Sequence, residues 1–233
     1  PDLVGNGWLL TSTYNEAPYF AAALGTSMAA PNVTGSLLLL QQHYENLHGS
    51  DQYMRAATLK ALAIHSADET GPAPGPDYEY GWGLLNAKTA ALLISNDFAD
   101  TGKHRIMEGV LSTGTTESVV VDVGAADADA ILRVTLVWHD PPGDPILPMV
   151  LDAQASLLVN DLDLRVINGG STFFPWVLDP TDPGAAAFSD DNVRDNVEQV
   201  VVQTTGPGPY TVHVSHKDTL DGGTAQAYSI IVT

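Results

Sequence analysis

Gly25-Thr26-Ser27-Met28-Ala29-Ala30-Pro31 sets a hydroxyl between a flexible glycine and an apolar run. Val33 and Leu37 to Leu40 continue that run, and Gln41, Gln42 and His43 end it. The pattern predicts a helix from about residue 26 to about residue 44, apolar on most sides and so largely buried. Pro31 suits its first turn, where a missing N–H removes no helical bond. Ser27 would stand at the N-terminus, where unpaired N–H groups and the helix dipole favour negative charge. That place suits a nucleophile whose attack on a carbonyl creates an oxyanion, because the donors already face the developing charge. The same residues also describe a serine that merely caps a buried helix. The local pattern leaves both readings open.

A second group of residues is acidic. In Asn160-Asp161-Leu162-Asp163-Leu164, period-2 alternation puts Asp161 and Asp163 on one strand face and both leucines on the other. Two carboxylates at that spacing repel, so a cation would help. Calcium is the first candidate, because it accepts carboxylate, amide and carbonyl oxygens in flexible geometry. Asp190-Asp191-Asn192, Asp195-Asn196 and Glu198 form a further acidic cluster, and Asp140 to Asp144 a carboxylate-rich turn. A solvated acidic rim accounts for the same spacing equally well.

Composition narrows the classes. Nine Lys and Arg against 28 Asp and Glu give a formal charge of −19 over 233 residues. That argues against nucleic acid, whose phosphates call for clustered basic residues. It fits a soluble protein working in extracellular surroundings. There is no Cys, so disulfides reveal nothing of the compartment. No run approaches the roughly 20 apolar residues of a membrane span. The opening Pro1-Asp2, without Met, reads as that of a fragment or processed product.

The elements that must position these residues change character along the chain. Residues 1–24 read as strand, turn, strand and loop. After the first helix, residues 51–67 repeat apolar side chains at helical spacing, and a short helix follows residue 86. From about Asp97 helical spacing stops. Candidate strands are 104–111, 116–123, 130–139, 155–160, 162–168, 172–178, 197–204, 209–215 and 226–232. So many short strands between Gly, Pro and Asp turns predict a sandwich or jelly roll. The expected division is residues 1–97 and residues 98–233.

Gly25 to Pro31, followed by Asn32-Val33-Thr34-Gly35, resembles the nucleophile motif Gly-Thr-Ser-Met-Ala-x-Pro-His-Val-Ala-Gly of subtilisin-like serine proteases. It departs at Asn32 and Thr34, neither a triad position. Pro1-Asp2-Leu3 resembles the tail of a segment that precedes that nucleophile. Tyr80-Gly81-Trp82-Gly83-Leu84-Leu85-Asn86-Ala87 is similar to the stretch that closes such catalytic domains. The resemblance implies an α/β catalytic-domain portion in which Ser27 is the catalytic residue. It also implies that Asp, His and the oxyanion Asn lie upstream, so that this chain alone is inactive. The segments around Trp138, Asn160 to Leu164 and Asp195 to Val200 look like the C-terminal β-barrel of the oxidant-resistant alkaline proteases. Those barrels carry calcium, a role the resemblance extends to Asp161, Asp163, Asp191, Asn196 and Glu198.

Two decoys carry less. Asp100-Thr101-Gly102 and His48-Gly49-Ser50 imitate the family's Asp and His motifs, but each lacks the strand or helix that should adjoin it. The expectation is therefore the C-terminal portion of a secreted serine endopeptidase acting on peptides or proteins. It would pair with the N-terminal part of its own peptidase domain, and with neither nucleic acid nor membrane. The alternative is a non-catalytic jelly-roll binding or structural module with a relic protease segment.

Overall fold

The computed structural model describes residues 1–100, 105–127, 129–145 and 155–233. The expected strand start at residue 104 and Thr101-Gly102 of the Asp decoy lie outside them. The first strands, β1 (Leu10–Thr13) and β2 (Phe20–Ala23), form an antiparallel hairpin. Three helices follow: α1 (Thr26–His48), α2 (Ala56–His65) and α3 (Ala87–Ala99). α1 runs past residue 44 to Gly49, whose φ of 107° no other residue type adopts easily. α3 starts where Asn86 caps it, its side chain accepting from the Thr89 N–H at 2.9 Å.

The rest is antiparallel sheet. The strands are β3 (Ile106–Ser112), β4 (Glu117–Val123), β5 (Ile131–Trp138), β6 (Leu162–Asn168) and β7 (Ser171–Phe173). Then come β8 (Trp176–Val177), β9 (Phe188–Ser189), β10 (Val197–Gln203), β11 (Gly208–His216) and β12 (Ala225–Val232). One four-stranded sheet has the order β10-β5-β12-β3, and a second has β4-β11-β6-β7. Their inner faces share a core in which Trp138, Leu136 and Ile230 of the first sheet meet Leu164, Val212 and Val214 of the second. Among the described residues the sheets do not close into a barrel.

The first sheet is covered on both faces. α2 lies on its outer face against β5 and β12, and Val137, Val197 and Ile231 join the helices in a second apolar cluster. This explains why Val134 to Trp138 are all buried, with no polar alternation along the strand. It also explains why α2 is rich in alanine: Ala57, Ala61 and Ala63 let the helix approach closely.

Three expectations need correction. α1 is not largely buried. Leu40 alone is buried among its residues, and Leu38 and Leu39 are each 67% exposed. α2 and α3 pack against α1, and the Gly5 to Gly7 loop lies against its first turns. Residues 155–160 form no strand, because their backbone groups are satisfied by side chains. The Asp140 carboxylate accepts from the Val159 and Asn160 N–H groups at 2.6 and 2.7 Å, and Trp138 Nε1 donates to the Asn160 carbonyl at 3.0 Å. Residues 172–178 divide into β7 and β8 around Pro175, which has no N–H for a ladder.

Candidate functional site

Ser27 occupies the first turn of α1, exposed, and its Oγ makes no hydrogen bond among the described residues. Gly25 precedes the helix at φ 131°, and its carbonyl accepts from the Met28 and Ala29 N–H groups at 3.0 and 3.2 Å. The Ser27 N–H has no intrahelical acceptor, as at every helix start. The Gly5-Asn6-Gly7 loop holds this turn from outside. Gly25 N–H donates to the Gly7 carbonyl at 2.8 Å. A Cβ on Gly7 would stand 2.6 Å from the Gly25 carbonyl oxygen, and one on Gly5 2.6 Å from Val33 Cγ2. Only glycine lets the loop lie so close.

The two outlying motifs also meet. Trp82 N–H donates to the Asp2 carbonyl at 2.9 Å, Val4 N–H to the Gly83 carbonyl at 3.0 Å, and Leu85 N–H to the Val4 carbonyl at 3.0 Å. Residues 2–4 and 82–85 thus form one short ladder, which Gly81 permits with φ 63°.

Among the described residues no histidine bonds to Ser27. The Ser–His pair among the described residues is elsewhere: His43 Nε2 lies 2.8 Å from Ser95 Oγ between α1 and α3. Ser95 Oγ already donates to the Ala91 carbonyl at 3.0 Å, so its proton is committed to the helix. His65, on α2, is buried in a polar network under the first sheet. Its Nδ1 is 2.9 Å from Thr135 Oγ1 and its Nε2 2.8 Å from Thr233 Oγ1. Gln199 Nε2 also donates to Thr135 Oγ1, at 2.9 Å. Burial first, then the nearby Arg133 guanidinium, holds His65 down to about 3. It is a neutral structural histidine. His48 stacks on Tyr44 with ring centroids 3.9 Å apart and gives the His decoy no catalytic neighbour. Asp100, of the Asp decoy, follows the last turn of α3.

The acidic residues divide. Asp161, Asp163 and Asp191 converge, while Leu162 and Leu164 are fully buried on the opposite face. Lys217, just beyond β11, places Nζ between the three carboxylates, 3.1 Å from Asp161 Oδ2, 2.9 Å from Asp163 Oδ1 and 3.1 Å from Asp191 Oδ1. Arg165 Nη2 pairs with Asp163 Oδ1 at 2.8 Å and with Asp191 Oδ1, and its guanidinium lies 4.7 Å from the Phe174 ring centroid. Glu198 is fully buried nearby. Its Oε2 accepts from the Leu164 N–H at 2.6 Å, and its Oε1 has no partner among the described residues. Burial, ahead of the neighbouring charges, pushes its carboxyl well above the usual range. Asn196 is apart from the group. Its side chain donates to the Trp138 carbonyl at 2.8 Å, where β5 meets β10.

The expected calcium ligands therefore do not fit calcium as they stand. Calcium takes six to eight oxygens at about 2.3–2.6 Å. Here the three converging carboxylates are committed to two cationic side chains, Glu198 Oε2 accepts from the Leu164 N–H and Asn196 bonds elsewhere. Among the described residues no group of three or more His, Cys, Asp or Glu is free to hold a metal. Sequence reasoning missed Lys217 and Arg165. Arg165 had a signal, since it follows Asp163 by two residues and shares its strand face.

Known proteins support the reading of the N-terminal third. Residues 1–83 match the subtilase family model. A serine protease/ABC transporter B family protein of Dictyostelium discoideum is 24% identical over 224 residues, 89% of this chain and 12% of its own length. Serotype-specific antigen 1 of Mannheimia haemolytica is 35% identical over 66 residues, 28% of this chain and 6% of its own. The autotransporter lipoprotein NalP of Neisseria meningitidis is 34% identical over 88 residues, 36% of this chain and 7% of its own. The chain thus spans between 6 and 12% of the length of these relatives. The crystal structure of a serine protease of Aeromonas sobria aligns with 92% of this chain and 45% of its own at 12% identity, with a TM-score of 0.26, too remote to bear on the fold. The match to the subtilase family model over residues 1–83, which carry Ser27, supports the C-terminal part of a subtilase there.

Proposed function

We propose that Ser27 is the nucleophile of an extracellular serine endopeptidase whose Asp, His and oxyanion Asn stand on the preceding part of the same peptidase domain. The observation that carries this is the state of Ser27 itself. It is exposed at the start of a 23-residue helix, its hydroxyl unengaged and its turn locked by Gly5 and Gly7. In the reaction the Ser27 Oγ bonds to the peptide carbonyl carbon while a histidine takes its proton. The amine then leaves with that proton, and water cleaves the acyl ester. Without the partner groups the 233-residue chain is inactive.

Exposure around the serine supports a missing layer. Trp8 is 70% exposed, Phe20 60% and Leu24 56%, as are Leu38 and Leu39 of α1 at 67% each. So many large apolar side chains left exposed around one serine call for a cover. The preceding part of the peptidase domain is that cover in this reading.

Residues 98–233 form a separate jelly-roll domain in the same reading. Counting only the eight strands of the two large sheets, from first to eighth along the chain, the orders are 1-8-3-6 and 2-7-4-5. That interleaving supports the jelly-roll assignment. α2 and the residue before it dock this domain through polar contacts. Thr58 Oγ1 donates to Glu108 Oε1 and lies 2.8 Å from Ser229 Oγ, and Arg55 Nη1 donates to the Gly109 carbonyl at 2.9 Å. The domain's role is to stabilise the peptidase portion. Extracellular location is supported by the acidic composition and by the autotransporter among the similar proteins.

The test is fluorophosphonate labelling of the intact protein with mapping of the modified residue. Labelling at Ser27 that Ser27→Ala abolishes is expected. A folded, intact protein that takes no label would overturn the reading and leave a non-catalytic module.

A further inference from the structure

The acidic group on the outer face of the second sheet is where a divalent cation was expected, and a side chain of the chain itself stands there. An ammonium has three N–H donors and no acceptor. Lys217 Nζ finds three carboxylate oxygens at 2.9–3.1 Å, one from each of Asp161, Asp163 and Asp191. The lysine is fixed from its backbone too, since its N–H donates to the Asp161 carbonyl at 2.9 Å. The three carboxylates come from two segments: Asp161 and Asp163 at the start of β6, and Asp191 in the loop after β9. Arg165 closes the other side of the group against Asp163 and Asp191.

We propose that Lys217 is a built-in cation that takes the place of a divalent metal ion in this carboxylate cage, so that the β-domain is held together without calcium. The geometry distinguishes the two occupants. The Nζ–O distances are about half an ångström longer than calcium–oxygen distances. A calcium ion at the Nζ position would also stand beside the Arg165 guanidinium, which already occupies Asp163 Oδ1 and Asp191 Oδ1. The cage accepts either the ammonium or the ion. Two oxygens are left over in its wall, Asp161 Oδ1 and Glu198 Oε1, both buried and without a partner among the described residues. With the ammonium gone, Asp161 Oδ2 is released, and calcium would compete with the Arg165 guanidinium for Asp163 Oδ1 and Asp191 Oδ1. Removing the lysine side chain should turn the cage into a calcium site.

The test compares the 233-residue chain with its Lys217→Ala variant, in EDTA and in 10 mM calcium chloride (an order-of-magnitude choice above weak calcium-site affinities). Thermal unfolding and terbium luminescence are the readouts. The original chain should melt at the same temperature in both solutions and bind no terbium. Lys217→Ala should melt several degrees lower in EDTA, recover in calcium and bind one terbium ion at least tenfold more tightly than the original chain. A calcium-induced rise in the melting temperature of the original chain would overturn the proposal. So would a variant that melts normally in EDTA, or one that calcium fails to restore. Should Lys217→Ala not fold, Lys217→Arg takes its place. A chain with that longer cation should fold and stay indifferent to calcium, and a calcium requirement for it would equally refute the inference.

Discussion

His65 ties the helix layer to the first sheet, and its chemistry predicts how that union responds to acid. The folded imidazole is held at about 3, against an ordinary value of 6.5, by burial and by Arg133, whose guanidinium donates to the His65 carbonyl at 2.9 Å. Below pH 6.5 the unfolded chain takes up a proton that the folded chain refuses until about pH 3. Stability from this residue is therefore fully present above pH 6.5 and is lost as pH falls from 6.5 towards 3. At about 1.4 kcal/mol per unit, the complete loss is of order 5 kcal/mol. That equals the whole stability of a marginal domain. The assay is urea unfolding from pH 7.5 to pH 4 for the original chain and His65→Gln, so that common carboxylate effects cancel in the difference. At pH 7.5 the variant should be weaker by about 1–2 kcal/mol, the loss of well-placed hydrogen bonds to Thr135 and Thr233. The gap should shrink on acidification and reverse near about pH 5. Parallel curves across the whole range would refute the assignment of a neutral, buried His65.

Glu198→Gln keeps an acceptor for the Leu164 N–H and removes an ionisation that burial opposes. A folded carboxyl raised above its unfolded value withdraws stability as pH rises, so the variant should equal the original near pH 4.5 and exceed it at pH 8 in urea melts. A variant weaker at pH 8 would show that the carboxylate is charged and needed. Gly81→Ala places a Cβ against the Pro1 and Asp2 carbonyls at a φ of 63°, and should cost about 2 kcal/mol or more in the same assay. An unchanged urea midpoint would dissolve the ladder between residues 2–4 and 82–85.

The sequence carried the nucleophile turn because its constraints are local. A glycine that must turn, a hydroxyl, small residues and an early proline follow one another within seven positions, and each is needed where it stands. The sandwich strands were legible for a similar reason, since period-2 alternation and β-branched runs survive in strands such as β11, whose buried residues alternate. The 155–160 error had a different source. Val159 has strand chemistry, yet the Asp140 carboxylate, 19 residues earlier, captures its N–H, and nothing at residue 159 records that. The burial of α1 was overestimated because an apolar run states what a helix can bury and not whether a neighbour is there to bury it.

The acidic group shows where such reading stops. Asp161 and Asp163 were placed correctly on one face, and the need for positive charge beside them followed from their repulsion. What the spacing could not supply was the identity of the cation, because Lys217 lies more than fifty residues away. It arrives through register. β11 pairs with β6 so that His216 faces Leu162, and the next step along both strands brings Lys217 to Asp161. Once that pairing is known, the lysine is no longer an ordinary residue after a strand. It is one of nine basic residues in a chain of charge −19, set where three carboxylates meet. An acidic motif in such a chain therefore cannot be equated with a metal site until the strand opposite it has been read for lysine and arginine.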